Sequence, residues 1–384
     1  MSDRVYLDHI GTTPLAAEVR LEMEPWLFDR FANPAGLHQE AFIAREALAQ
    51  ARDRVASFIN AKNPEEIIFS GSGTEALNLG FTGAALAAQN RGRHLVIGST
   101  EHPAIIGAAE TLCNQGYSCT RVGPDGLGFI DPDAVLAAVE EQTTVVSIHL
   151  ANHDTGTIQS ISKIANGLKN HSATLVVDAT AAAGWIPIDV QELGADLLMF
   201  SPHRFHGPSG VGILYRRRGT RLSPLFYGGQ QESGLRPGME NIAAIVGAGA
   251  AVELATIRLK TLPRLWTEEL LDLWHEIEKS VGPVVLHGPI PGSQRLPRIL
   301  NFSVLKVDGE GMALALDLKG FAVASGAACV THSMRMPPVL AAMGVELALG
   351  KSNLIVSLGA SASREALQRF VKALTEVVKR FRGL

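Results

Sequence analysis

Short apolar runs rich in β-branched residues alternate with longer, alanine-rich amphipathic segments over the first half of the chain. The short runs are typical of buried strands, whereas the apolar residues between them repeat at helical spacing. The predicted strands are residues 67–69, 94–97, 143–150, 174–177, 197–200 and 211–215. This alternation predicts an α/β fold in which a largely parallel sheet is covered by helices.

The C-terminal part of the chain has a different pattern. Residues 241–280 predict helix that is interrupted at Pro263, and a strand is predicted at 298–305, after the Pro- and Gly-rich segment 283–292. The chain ends in a predicted helix that Ser363 can cap. We therefore expect a large domain over residues 15–255 and a small C-terminal α/β domain formed by residues 1–14 and 256–384.

Composition narrows the classes of function. The chain has 384 residues, is 46% hydrophobic and carries a formal net charge of -4, which allows two buried cores. Charges of both signs are interspersed, without a basic stripe for nucleic acid or a membrane anchor, and the N-terminus lacks an apolar signal core. We expect a cytoplasmic protein that binds neither nucleic acid nor membrane. Cys113, Cys119 and Cys329 are too irregularly spaced for a disulfide framework or a paired-cysteine metal site.

A glycine-rich segment, residues 70–75, directly follows the first predicted strand and opens a helix. Gly71 and Gly73 let the backbone approach an anion, the first helical N–H groups point at it, and Thr74 can add a hydroxyl. Such a segment is also an ordinary connection between a strand and a helix, so by itself it is weak evidence for a phosphate site.

Asp178 ends another apolar strand, at the edge where open α/β sheets bind ligands. A buried carboxylate needs a cationic partner, which a pyridinium nitrogen would provide. The alternative role for Asp178 is to stabilise a turn or cap a helix. His102 follows a further strand and could stack on a planar ring, although a histidine in this position is commonly a polar loop residue.

Together these residues resemble the cysteine desulfurase and selenocysteine lyase family of class V aminotransferases, which are pyridoxal phosphate (PLP) enzymes. The resemblance covers nearly the whole chain. It implies the PLP-dependent transferase fold of aspartate aminotransferase, with a mainly parallel seven-stranded sheet in the large domain and a small C-terminal α/β domain. The matching segments are residues 6–8, 12–14, 33–35, 70–75, 100–102, 152–156, 178–180, 201–210, 228–232, 236–241 and 325–329.

The resemblance implies a role for seven residues that are present in this chain. Asp178 would meet the pyridinium nitrogen, His102 would stack on the ring and act in catalysis, and Cys329 would be the nucleophile that becomes a persulfide. Neighbouring His332 could assist formation of the Cys329 thiolate; the alternative is that Cys329 is a small buried apolar residue. The residues expected to hold the cofactor phosphate are Gly73, Thr74, Ser201 and His203.

Four positions depart from the family pattern. The lysine that links covalently to PLP in the family is Arg204 here. Arginine stays protonated, so it can neither condense with the cofactor aldehyde nor move protons at the substrate Cα. The family glutamine near the cofactor phenolate is Ala181, the second asparagine of its N-N-E-x-G motif is His153, and the arginine that pairs with the substrate carboxylate is Ile355.

These departures leave three hypotheses. The first is a non-classical or catalytically impaired desulfurase homologue that acts in sulfur relay or iron–sulfur assembly, with Cys329 offered to a sulfur-acceptor or scaffold protein. The second is a working lyase that holds PLP non-covalently and uses another base, His102 or His153. The third is a protein that binds a metal ion or iron–sulfur cluster on the same fold; its candidate ligands are His149, His153, Asp154, Asp178, His203 and His206. The resemblance also implies a homodimer in which residues 228–241 contribute to the neighbouring subunit's site.

Overall fold

A computed structural model describes residues 4–325, 336–359 and 362–383 of the chain. The strands are β1 (Val5–Tyr6), β2 (Ile67–Ser70), β3 (His94–Gly98), β4 (Ser118–Val122), β5 (Thr143–Ser147), β6 (Thr174–Asp178), β7 (Leu197–Phe200), β8 (Gly212–Arg216), β9 (Val284–His287), β10 (Ile299–Val304), β11 (Phe321–Ala322) and β12 (Asn353–Ser357). The helices are α1 (Ala17–Phe28), α2 (Gln39–Phe58), α3 (Gly73–Ala87), α4 (Pro103–Asn114), α5 (Pro132–Ala137), α6 (Ile161–Gly167), α7 (Val190–Leu193), α8 (Ile242–Leu259), α9 (Pro263–Val281), α10 (Gly309–Leu318), α11 (Pro338–Ala342), α12 (Leu347–Lys351) and α13 (Arg364–Arg382).

The central sheet has seven strands in the order β2-β8-β7-β6-β5-β3-β4. Strands β3 to β7 are mutually parallel where they pair, and β8 is antiparallel to both β2 and β7. The predicted α/β fold with a mainly parallel sheet is thus confirmed. Parallel strands place their carboxyl ends along one edge, so the segments after β3, β5 and β6 meet there.

A second, smaller sheet is formed by the C-terminal part of the chain. It is antiparallel, in the order β12-β10-β9, and β1 pairs in parallel with β11. Apolar side chains of α9, α10 and α13 pack with this sheet in a core cluster that also contains Leu7. The N-terminal segment therefore packs with the C-terminal part, although the domain limits given above stay a prediction.

Two features of the predicted helices are explained by the packing. Pro263 occupies the first turn of α9, where its missing N–H costs nothing, so it begins a helix instead of kinking one. Helix α8 is long and apolar enough to span a membrane, but 67% of it is buried inside the protein. Core helices pass this test as readily as membrane spans, so α8 is weak evidence for a membrane protein.

Candidate active site

The glycine-rich segment connects β2 to the N-terminus of α3, as the sequence predicts. Ser72 caps the helix, because its Oγ accepts a hydrogen bond from the backbone N–H of Glu75 at 3.1 Å. Gly73 begins the helix beside Ser201. A Cβ on Gly73 would lie 3.1 Å from the Ser201 Cβ, which is tighter than ordinary packing. Glycine therefore allows the start of α3 to approach the loop that carries Ser201.

A cavity of about 180 Å³ lies at this end of α3. Its lining residues are Ser72, Gly73, Thr74, Leu77, His102, Thr180, Ser201, His203, Arg204, Ser209, Gly210 and Val211. The structure thus brings together five of the six residues that were predicted to bind cofactor. The positive end of the α3 dipole, together with serine and threonine hydroxyls, makes this part of the cavity suited to an anion.

Asp178, the sixth predicted residue, ends β6 and is 7% exposed. Its Oδ1 accepts a hydrogen bond from the backbone N–H of Thr180 at 2.8 Å, which is the turn-stabilising role considered as the alternative. Its charge also reaches the cavity, since it acts to raise the pKa of both His102 and His153. The same carboxylate can therefore hold its turn and face a cation at the cavity.

His102 and His153 face each other, with ring centroids 5.7 Å apart and an interplanar angle of 67°. Burial, with a smaller contribution from the neighbouring His153, lowers the pKa of His102 to about 4. Burial likewise lowers the pKa of His153 to about 4. Both rings are therefore neutral at neutral pH. The Nδ1 of His102 accepts a hydrogen bond from the backbone N–H of Ala104 at 3.1 Å, so its Nε2 carries the ring proton, and His153 is the better placed of the two to accept a proton.

Arg204 is half-buried and lines the cavity next to His203. Every lysine of the chain lies in the described residues and is exposed, and none lines this cavity. The lysines are Lys62, Lys163, Lys169, Lys260, Lys279, Lys306, Lys319, Lys351, Lys372 and Lys379. No lysine of the chain therefore lies at the cavity in the position of Arg204.

Arg298 contacts the backbone of Arg204 and was not among the predicted site residues. It is fully buried, and its guanidinium lies 4.1 Å from the centroid of the Trp185 ring. It donates hydrogen bonds to the backbone carbonyls of His9 at 3.1 Å, Arg204 at 3.2 Å and Ala181 at 3.4 Å. The only signal in the sequence was a charged residue at the start of an apolar strand.

Two of the positions that differ from the family pattern, Ala181 and Ile355, lie in different parts of the structure. Ala181 is buried beside the site, where its carbonyl accepts the bond from Arg298. Ile355 lies within β12, is 3% exposed and belongs to the apolar core. Cys329 and His332 lie outside the described residues, so their predicted roles stay predictions.

The six candidate metal ligands are engaged in other contacts or lie apart. His149 Nδ1 lies 3.1 Å from Glu101 Oε1, and His206 Nδ1 lies 3.1 Å from the Pro14 carbonyl. His203 Nδ1 lies 3.2 Å from Thr12 Oγ1. Among the residues that the structure describes, no group of three histidine, cysteine, aspartate or glutamate side chains could hold a metal ion. The metal hypothesis is therefore not supported.

Known proteins resemble this chain over its whole length. The profile of the family Aminotransferase class-V matches residues 5–370. The curated cysteine desulfurase IscS of Dictyoglomus turgidum is 39% identical over 100% of this chain and 97% of its own length. That of Methanosarcina thermophila is 34% identical over 99% and 93% of the two chains.

Solved structures agree with this similarity. A structure described as a NifS-like protein superposes with a TM-score of 0.90 and 30% sequence identity, covering 98% of this chain and all of that one. A structure of SspA in complex with cysteine has a TM-score of 0.81 and 30% identity, over 92% of this chain and 98% of that one. With a matching fold and relatives of this closeness, the chain belongs to the class V aminotransferase family, among the cysteine desulfurases.

Proposed function

We propose that this protein binds pyridoxal phosphate without a covalent link and has lost lysine-dependent desulfuration. In this proposal it serves sulfur relay or iron–sulfur assembly, with Cys329 as the thiol that passes sulfur to an acceptor or scaffold protein. One observation carries the proposal: Arg204 lines the cavity, and none of the chain's lysines does.

The residues present fit the phosphate and ring of PLP. The N-terminus of α3, Thr74, Ser201 and His203 would hold the phosphate, and the absence of a side chain on Gly73 keeps the cradle open. Asp178 would hold the proton of the pyridinium nitrogen. When bound, the cofactor would supply an electron sink for a reaction at the Cα of an amino acid.

Arg204 changes what the chain itself can contribute. Its guanidinium stays protonated, so it cannot accept the Cα proton that a neutral lysine amine accepts. It can donate paired hydrogen bonds to a carboxylate or phosphate. The chain would thus bind and orient its ligands while lacking the family's usual base.

A second candidate function, an active desulfurase with another base, is favoured by the His102–His153 pair. The two rings are in contact at 5.7 Å between centroids, and His102 lines the cavity. Both are neutral at neutral pH, and His153 could take a proton in place of the missing lysine, because the Nδ1 of His102 already accepts the Ala104 N–H.

Sulfide release from L-cysteine separates the two functions. Purified protein is assayed with PLP and a thiol reductant, beside Cys329→Ser and Arg204→Lys variants. We expect no more sulfide from the wild type than from Cys329→Ser, because the base is missing. Arg204→Lys is expected to gain covalently bound PLP, detected by mass spectrometry after borohydride reduction. Wild-type sulfide that requires both PLP and Cys329 would instead show that desulfuration survives without the lysine, and loss of that sulfide in His153→Asn would identify the base.

The relay role is tested with a persulfide donor. The Cys329 thiolate would take the terminal sulfur of the donor, which leaves as a thiolate, so the mass of the protein rises by one sulfur atom. Cys119→Ser is the matched control, because Cys119 is half-buried and burial raises the pKa of its thiol to about 11. Wild type and Cys119→Ser should gain sulfur equally and Cys329→Ser should not. If the Cys329→Ser variant still gains a sulfur atom, the relay role is wrong.

Homodimerisation is a further part of the proposal. Several large apolar side chains are strongly exposed: Leu37 is 100% exposed, Tyr227 89%, Phe31 83% and Phe28 77%. Exposed apolar side chains that lie together in one patch are typical of surfaces that bind another chain, and three of these four come from the short segment 28–37. We expect a dimer in size-exclusion chromatography with light scattering, and a mass of one chain at micromolar concentration would contradict it.

A further inference from the structure

We propose that Arg204 binds the carboxylate of the amino acid ligand, a contact that the resemblance would assign to an arginine at residue 355. The inference rests on the proposed function only in taking the α3 cavity as the ligand site. It gives the arginine a binding role at the position where the family has a lysine.

At residue 355 the chain lacks the arginine that the resemblance implies would pair with the substrate carboxylate. Ile355 is apolar and 3% exposed. Its main-chain groups are also occupied, because its N–H and carbonyl both bond to Ala324, at 2.8 and 3.1 Å. An anion that enters the site must therefore find its partner elsewhere.

Arg204 is placed to be that partner. Among the described residues that line the cavity, the basic ones are His102, His203 and Arg204. Burial lowers the pKa of His102 and of His203 to about 4, so both are neutral at neutral pH. Arg204 stays protonated, so among these three residues it is the one that is positively charged at neutral pH. After burial, the positive charge of Arg204 also acts to lower the pKa of His153, so the guanidinium lies near that ring as well as near the start of α3.

The backbone beneath Arg204 is held in place. Its carbonyl accepts hydrogen bonds from Trp185 Nε1 at 3.0 Å and from Arg298 Nη1 at 3.2 Å. Trp185 is 2% exposed and Arg298 is fully buried. A preorganised main chain lowers the entropy lost when the side chain binds an anion, which favours a specific contact over a mobile surface charge.

Two anions could contact Arg204, a substrate carboxylate or the cofactor phosphate, and paired ligands distinguish them. L-Cysteine and cysteamine share a thiol and an amine, but only L-cysteine has a carboxylate. Their dissociation constants are measured by calorimetry, with and without bound PLP, for wild type, Arg204→Gln and the surface control Arg121→Gln. PLP affinity is measured in the same proteins.

In Arg204→Gln we expect L-cysteine to bind about 10- to 150-fold more weakly, as for loss of a charged hydrogen bond, with cysteamine unchanged. Arg121→Gln should match the wild type. Equal weakening of both ligands, or a loss confined to PLP affinity, would overturn the proposal in favour of a structural or phosphate-binding role. If PLP fails to bind the wild type, the proposed cofactor function fails, while the cofactor-free series still decides the role of Arg204.

Discussion

Lowering the pH from 7 to about 4 is expected to destabilise the protein by several kcal/mol. Burial is the largest cause that lowers the pKa of six histidines to about 4: His9, His102, His153, His203, His206 and His287. An unfolded chain protonates histidine near pH 6.5. Between pH 6.5 and 4 the unfolded state therefore binds more protons than the folded state, and stability falls as the pH falls.

The size of the effect follows from linkage. A histidine whose pKa drops from 6.5 to about 4 accounts for up to about 3 kcal/mol. Six such groups set an upper bound, which partial exposure of rings such as His153, whose side chain is 28% exposed, reduces. Burial also raises the pKa of Asp154 to about 6, which has the opposite sign because protonation then favours the folded state. Burial also raises the pKa of Asp8, Glu101, Asp196 and Glu269, so several carboxyls offset part of the histidine contribution. A net loss of several kcal/mol is still a large part of the stability of a domain, about 5–15 kcal/mol.

Urea unfolding at pH 7, 6, 5 and 4.5, followed by circular dichroism, measures this dependence. His9→Asn should reduce the slope of stability against pH, because His9 is 1% exposed and buried with both ring nitrogens unbonded in the described structure. His275→Asn is the control, because His275 is exposed. Equal unfolding free energies at pH 7 and 4.5 would show that these rings are not held neutral by the fold.

The second large effect is expected for Glu232→Gln, which should cost about 3–5 kcal/mol of stability. The Glu232 side chain is 3% exposed and pairs with both Nη atoms of Arg52, at 2.6 and 2.9 Å. It also accepts the backbone N–H of Phe69 at 3.0 Å, at the strand that leads into the phosphate loop. The substitution leaves the Arg52 charge half-buried without its anion.

Glu110→Gln is the matched control, because the same chemical change then removes an exposed pair with Arg121. Exposed pairs contribute about 0–1 kcal/mol, so this variant should unfold close to the wild type. The double variant Arg52→Met, Glu232→Gln should recover part of the loss, since neither charge is then left unpaired. Equal urea midpoints for Glu232→Gln and Glu110→Gln would contradict a stabilising role for the buried pair.

The local pattern of apolar residues predicted most strands of the central sheet correctly. Strands 67–69, 94–97, 174–177 and 197–200 are confirmed within one residue at each end, because strands buried on both faces are short continuous apolar runs. The predicted strand 143–150 ends at Ser147, where the chain turns into the site. Strand β4 was not predicted, because it lies at the sheet edge and most of its residues are at least partly exposed. Its pairing with β3 depends on a neighbour distant in sequence.

The sequence by itself determined the family, the glycine-rich connection before α3, the position of Asp178 at the end of its strand and the presence of arginine at residue 204, because each is a matter of residue type at a given spacing. Only the tertiary structure decided that no other lysine of the chain lines the cavity and that His102 and His153 face each other. It alone placed Arg298 beneath Arg204. These facts depend on contacts between segments far apart in the chain, whose proximity arises from burial and sheet pairing and has no local signal.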